Sequence, residues 1–273
     1  MASKRRNPKK NKAARRRRPD REGLRRARLE IEDIHHLMAA APPAALPLVG
    51  LTSLWLWNLA EDQAAAAHCV DGCLTLHYAL AEFGIRSHVE AITICIERAT
   101  AGAAPGAMYG EHPRYNADGT FNGHTILVVT GAGRFIDPTI QQFREVPHTK
   151  QAMLPLQASL PVPGGMGTSP IGIPRGDHLV MYLPLPEHLR QAWRGPAVQA
   201  RTADYRKAGA NLAANTLAML QIEDMRRKAE QSPYLRLRTL MAALDGTKPV
   251  ADGRGFRFAD PVTGKEIWLS DVP

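Results

Sequence analysis

Between Arg86 and Glu97 the chain carries Val89, Ala91, Ile92, Ile94, Cys95 and Ile96, an apolar run that does not alternate with polar residues. A strand of this kind is apolar on both faces, so it belongs in the middle of a sheet, with neighbouring strands on each side and packed layers above and below. What precedes and follows it must supply those strands and layers.

The segment before it reads as a helix. Cys69, Cys73, Leu76, Leu80 and Phe83 recur at steps of four, three, four and three, one buried stripe, and Gly84 stands where a helix ends in a left-handed residue. The segment after it, Gly123 to Asp137, reads as a hairpin: Thr125 to Val129 is strongly β-prone, residues 130–133 (Thr-Gly-Ala-Gly) turn, and Arg134 to Asp137 returns. A four-residue turn sets Val129 opposite Arg134 and Asp137 opposite Ile126. Side chains alternate along a strand, so His124 and Asp137 then share a face as diagonal neighbours.

Glu22 to Ala41 is compatible with an amphipathic helix, Pro42 to Pro47 breaks it, and Leu51 to Ala67 resumes as helix. Thr100 to Thr120 reads as a long surface loop, and Gln141 to Gly176, dense in Pro and Gly, as a wrapping loop or a boundary. His178 to Leu185 supplies a further strand, Ala197 to Gln231 and Pro233 to Leu244 are helical, and Phe256 to Leu269 is a hairpin. The expected class is α+β, with a helix-borne Cys packed on an antiparallel sheet, followed by C-terminal helices and a hairpin. The expected organisation is a disordered basic arm over 1–21, a core domain over 22–185 and a helical extension with a terminal hairpin over 186–273.

The formal net charge of +9 belongs to the arm. Residues 1–21 hold eleven Lys or Arg and one acid, which leaves 24 basic and 25 acidic residues in the remainder, close to neutral. Such a segment buries no apolar surface, and its density, greatest at Arg15, Arg16, Arg17 and Arg18, suits the phosphates of nucleic acid or another polyanion. It is equally compatible with a solubilising extension, and no helix-turn-helix, zinc-finger or aromatic RNA-binding signature accompanies it. Three cysteines are too few and too clustered to staple a secreted domain of 273 residues, which points to a reducing, cytoplasmic setting. Residues Leu37 to Ala60 carry no charge, but Pro42, Pro43, Pro47 and Asn58 interrupt them, so a buried helix behind a Pro-rich linker is expected in place of a membrane segment.

A thiol at a helix N-terminus, a histidine and a carboxylate that orients the histidine are the minimum equipment for acyl transfer through a thioester. Cys heads a helix closing in Leu-x-x-Gly-Ile, Gly-His opens a strand, and Phe-Ile-Asp-Pro-Thr closes the next. This order and context, over roughly residues 50–145, resembles the transglutaminase-like superfamily of papain-like folds. The resemblance implies Cys69 as nucleophile, His124 as the base that takes its proton and Asp137 as the residue that fixes the imidazole. The separation of Cys69 from Gly84 matches the family's usual spacing, whereas Cys73 is four residues too close. It further implies a substrate with an amide or ester carbonyl and no cofactor. The Arg-Gly-Gly that precedes the Cys of arylamine N-acetyltransferases is replaced by Ala66-Ala67-His68, which argues against acetyl-CoA. For the oxyanion the backbone N–H of Cys69 is the default donor, and Gln63, six residues upstream, is a weaker one.

Each of these residues also has a plainer reading. Cys73 and Cys95 are expected as core fillers, a lone strand histidine is usually structural, and an Asp before Pro is usually turn chemistry. A metal site built from Cys69, Cys73 and His77 with His68 or His124 is disfavoured, because three ligands in a row on one helix diverge from a tetrahedral centre. The alternative from another class is a nucleic-acid-associated or structural protein in which an inactive fold of this type carries a polyanion-binding arm.

Overall fold

The computed structural model describes residues 29–59, 68–99, 106–146, 154–250 and 257–272. Arg15 to Arg18 and Gln63 lie outside the described residues.

Three helices come first: α1 (Ile31–Ala40), α2 (Leu46–Leu59) and α3 (Cys69–Glu82). Pro42 and Pro43 end the first, since the residue before a proline is pushed out of helical geometry. Pro47 is tolerated in the opening turn of α2, where its missing N–H has no intrahelical acceptor to lose. Ten of the eleven residues from Leu46 to Leu56 are buried, Val49 being the exception, so this helix is enclosed on nearly every side. No helix among the described residues is long and apolar enough to cross a membrane.

Helix α3 ends as its sequence requires. Gly84 takes φ +69°, its N–H reaches the Ala81 carbonyl at 3.0 Å, and the Ile85 N–H reaches Leu80 at 2.9 Å. These two bonds satisfy carbonyls that the last helical turn leaves open. Arg236 adds a third tie, with Nε donating to the Glu82 carbonyl at 3.0 Å and the rest of its guanidinium to the Leu269 and Val272 carbonyls.

The strands are β1 (His88–Arg98), β2 (Ala107–Tyr109), β3 (Arg114–Tyr115), β4 (Phe121–Asn122), β5 (His124–Val129), β6 (Arg134–Asp137), β7 (Leu156–Ser159), β8 (Ile171–Arg175) and β9 (His178–Pro184). Seven of them form one sheet in the order β7-β6-β5-β1-β9-β8, with β2 joined to β1 and every pairing antiparallel. Strand β1 is central: β9 runs along one edge, while β5 and then β2 share the other. The β5–β6 register sets Val129 opposite Arg134, and Gly133, at φ +61°, supplies the left-handed residue that closes the turn.

The two faces of the sheet are packed differently. Val89, Ala91, Leu127, Val129 and Ile136 join the helices in one hydrophobic cluster. Ile92, Ile94, Ile126, Val128, Phe135 and Tyr182 form a second on the opposite face, covered by Ile140, Phe143, Val146 and Met166. His124 and Asp137 alternate in phase with Ile126 and Phe135, so they belong to this second face. Helix α3 lies against the first face, and its N-terminal end meets the sheet where β5 begins: the Cys69 thiol is 3.9 Å from the Gly123 carbonyl.

After β9 come α4 (Pro196–Ala200), α5 (Thr202–Leu220), α6 (Glu223–Glu230) and α7 (Leu235–Ala243), then a small sheet of β10 (Lys248–Val250), β11 (Arg257–Ala259) and β12 (Glu266–Trp268). Leu212, Ala213, Leu217, Leu237 and Phe258 lie in the same cluster as Cys73, Leu76 and Leu80, so the C-terminal helices share the core of the first half.

Two loops expected from the sequence are more ordered than their composition suggests. The described part of residues 100–120 contains β2 and β3, and residues 141–176 contain β7 and β8. These are short pieces at sheet edges, where Pro174 is tolerated because an edge residue need not donate to the ladder on both sides.

Candidate active site

Cys69 opens α3, with His68 as its N-cap. The end of the helix is pinned through Asp71 in its first turn. One carboxylate oxygen accepts the Tyr205 hydroxyl at 2.5 Å and faces Arg201 Nη1 at 3.3 Å, and the other lies 3.1 Å from His68 Nδ1. An acidic residue there also complements the positive end of the helix dipole. Tyr205 and Arg201 belong to the chain's last third, which thus helps to place the Cys69 end of the helix.

His124 opens β5 and Asp137 closes β6. Both side chains are buried, at 1% and 0% exposure, and His124 Nε2 stands 3.1 Å from Asp137 Oδ2. The charge of Asp137 acts on the ring more strongly than hydrogen bonding across this contact. The carboxylate is held from two further directions: the Tyr182 hydroxyl donates to Oδ2 at 3.0 Å and the Thr139 N–H to Oδ1 at 3.1 Å. Tyr182 lies on β9, fully buried and edge-on to Phe135.

The other nitrogen of His124 faces a residue that the sequence did not single out. Gln142, at the end of a short 3-10 turn (Ile140–Gln142), sets its Nε2 3.0 Å from Nδ1 and donates from it to Thr139 Oγ1 at 3.0 Å. Phe143 then sets its ring edge-on to the imidazole, 5.1 Å between centroids, and Tyr109 packs on Phe143 at 4.6 Å. The strip after Asp137 therefore folds back over the histidine.

Electrostatics separate the three thiols. Burial alone would push the Cys69 thiol up, but the hydrogen bond and charge of His124, with help from Thr125, outweigh it, and the thiol sits below its ordinary value. Burial would likewise push His124 down, yet the Asp137 carboxylate, followed by Cys69, raises it to about 10. The two shifts favour a thiolate beside an imidazolium at neutral pH. Cys73, one turn deeper, is driven well above the ordinary thiol value by burial and by the Cys69 charge, and its sulfur sits against the Thr125 carbonyl at 3.5 Å. Cys95 on β1 is raised by burial and by Glu97.

Cys69, His124 and Asp137 are thus brought to one place, with Cys69 only 4% exposed. His77 points elsewhere, its Nδ1 3.0 Å from Ser87 Oγ, and the described residues contain no group of three or more His, Cys, Asp or Glu that could hold a metal ion. Beside His124 lies a shallow depression of ≈ 210 Å³ lined by Gly110, Glu111, His112, Arg114 and Asn122. Gly110 closes against the start of β5, where an added Cβ would come within 3.1 Å of the His124 nitrogen.

Tyr182 and Gln142 are the two polar partners that sequence reading missed. Tyr182 carried a faint signal: it alternates with His178 and Val180 on a strand, and a buried tyrosine needs an acceptor for its hydroxyl. Gln142 carried none, because it falls in a stretch whose Pro and Gly content spoke only of loop. Comparison with protein-family models, with curated proteins and with solved structures returns no match to this chain.

Proposed function

We propose that the protein is a thiol enzyme that breaks an amide or ester by acyl transfer through Cys69, on a transglutaminase-like, papain-like core. The observation that carries this reading is the opposite treatment of two neighbouring sulfurs: Cys69 is lowered beside a histidine that a buried carboxylate keeps charged, while Cys73 is raised. A structural cysteine needs no such arrangement, and a nucleophile does.

In this reading the Cys69 thiolate attacks the carbonyl carbon, His124 gives its Nδ1 proton to the leaving group, and water or an amine then releases the acyl group from sulfur. Asp137 keeps the Nε2 proton in place and compensates the imidazolium charge, and Tyr182 holds the carboxylate in orientation. The backbone N–H of Cys69, in the first turn of α3, is one donor to the oxyanion. The depression at Gly110 and Asn122 flanks the segment that carries His124 and is the side from which a substrate would approach. Three free thiols accord with a reducing, cytoplasmic setting.

Iodoacetamide tests the reading. Cys69 is expected to be alkylated selectively over Cys73 and Cys95, with a midpoint below the ordinary thiol pKa, and His124→Ala to slow that alkylation by about 10²-fold or more at neutral pH. Its midpoint should move upward in the variant, because burial then acts on the thiol without the compensating charge. Acyl transfer to an alkaline medium should decline as pH passes about 10, where His124 loses the proton it must deliver. Equal labelling of all three thiols, or labelling indifferent to His124, refutes the proposal.

A further inference from the structure

We propose that Gln142 is a catalytic residue of this site: its side-chain N–H donates to the oxygen of the substrate carbonyl as that oxygen gains negative charge during attack by Cys69. The proposal rests on the acyl-transfer reading above.

The position of the carboxamide is the first argument. Nε2 carries two hydrogens; one is engaged by Thr139 Oγ1 at 3.0 Å, and Thr139 is itself fully buried, so the group is held in one orientation. The second points at His124 Nδ1 at 3.0 Å, the nitrogen left for the thiol proton once Nε2 faces Asp137. The turn beneath it is fixed by Ile140 and Gln141, both buried, by a Gln142 N–H bond to the Thr139 carbonyl at 2.9 Å, and by Gln141 Nε2 on the Pro138 carbonyl at 3.3 Å. Gln142 itself is half-buried, so its amide borders the accessible side of the histidine.

Proton bookkeeping supplies the second argument. In the resting thiolate–imidazolium pair both ring nitrogens are donors, so the Gln142 N–H that borders Nδ1 finds no acceptor there. Attack by the thiolate moves the negative charge from sulfur to the carbonyl oxygen. A preoriented donor without an acceptor in the resting pair then gains one, an interaction stronger in the transition state than in the resting site.

The step balances without an outside reagent. The sulfur electron pair forms the S–C bond as the C=O π pair moves to oxygen, facing Gln142 and the Cys69 N–H. Return of that pair expels the leaving group and leaves the thioester, and Nδ1 gives its proton to that group or, where the group leaves as a stable anion, to solvent. Water then adds to the thioester, gives a proton to Nδ1, and expels the thiolate with the carboxylic acid.

Two reactions of the full chain separate this role from others. p-Nitrophenyl acetate forms an oxyanion on the way to acetyl-Cys69, whereas iodoacetamide alkylates sulfur by displacement and forms none. In single-turnover experiments, Gln142→Met, similar in length and without a donor, and Gln142→Ala are expected to acylate about 10²- to 10³-fold more slowly, with alkylation rate and pH dependence unchanged. Acylation as fast as in the unaltered chain overturns the proposal, as does a loss shared equally by both reactions, which would mark a structural role. Faster alkylation in the variants also overturns it, since Gln142 would then be restraining Nδ1. If the unaltered protein shows neither acylation nor selective alkylation at Cys69, the acyl-transfer reading itself fails and takes this proposal with it.

Discussion

Replacing Asp137 with Ala should disable the site and destabilise the protein in one step. The Tyr182 hydroxyl and the Thr139 N–H lose a buried acceptor, and His124 loses the charge that holds it above its ordinary value. Removing one partner from a buried, hydrogen-bonded charge costs about 3–5 kcal/mol, readable as a fall in the urea midpoint. Asp137→Asn isolates the chemical part, because the amide oxygen can still accept from the Thr139 N–H in the place of Oδ1. Its NH2 then takes the place of Oδ2, facing Nε2 and the Tyr182 oxygen, which drives the ring proton to Nδ1 and removes the base. The acylation rate should drop by about 10⁴-fold while stability falls less than in the Ala variant, and the alkylation midpoint of Cys69 should rise. An Asn variant that acylates normally would mean that Asp137 serves the turn at Pro138 and not the histidine.

The parts of this site that can be read from sequence are those within one local element. The Cys69 stripe and its Gly84 terminus follow from helical period and glycine conformation, and the β5–β6 register follows from a turn whose length and Gly133 leave little choice. The contribution of Tyr182 depends on β9 lying two strands from β5 across β1, a sheet order that no local pattern specifies. Gln142 depends on the chain doubling back over His124, which its composition does not announce. Tyr205 and Arg201 reach Asp71 from more than a hundred residues away, so a C-terminal helix read from sequence as an extension also supports the Cys69 turn. Strands β7 and β8 escaped because short edge strands tolerate Pro and Gly: Gly172 packs under Met181, where a side chain would collide at 2.8 Å.

The contact between α3 and α5 gives the second large effect. At Gly209 an added Cβ would stand 2.6 Å from Tyr78 Cβ, 2.8 Å from the Ala79 nitrogen and 2.9 Å from the Thr75 carbonyl oxygen. Two of these are backbone atoms of α3, so no rotamer change relieves the clash and the helices must separate. In an exposed helix Gly→Ala stabilises by about 1 kcal/mol; here the sign should reverse, with Gly209→Ala costing about 1–3 kcal/mol and Gly209→Val more. The consequence extends to the site, because α3 carries Cys69 at the end clamped by Tyr205, four residues before Gly209 on α5. Separation of the helices shifts the sulfur relative to His124, which is fixed to the sheet and not to α5. Gly209→Ala is therefore expected to lower the urea midpoint and to slow Cys69 alkylation in the folded protein. A variant more stable than the parent would show that the helices are farther apart than these distances require. Destabilisation with alkylation unchanged would show that α3 moves at its far end, with the Asp71–Tyr205 clamp strong enough to keep Cys69 in register with His124.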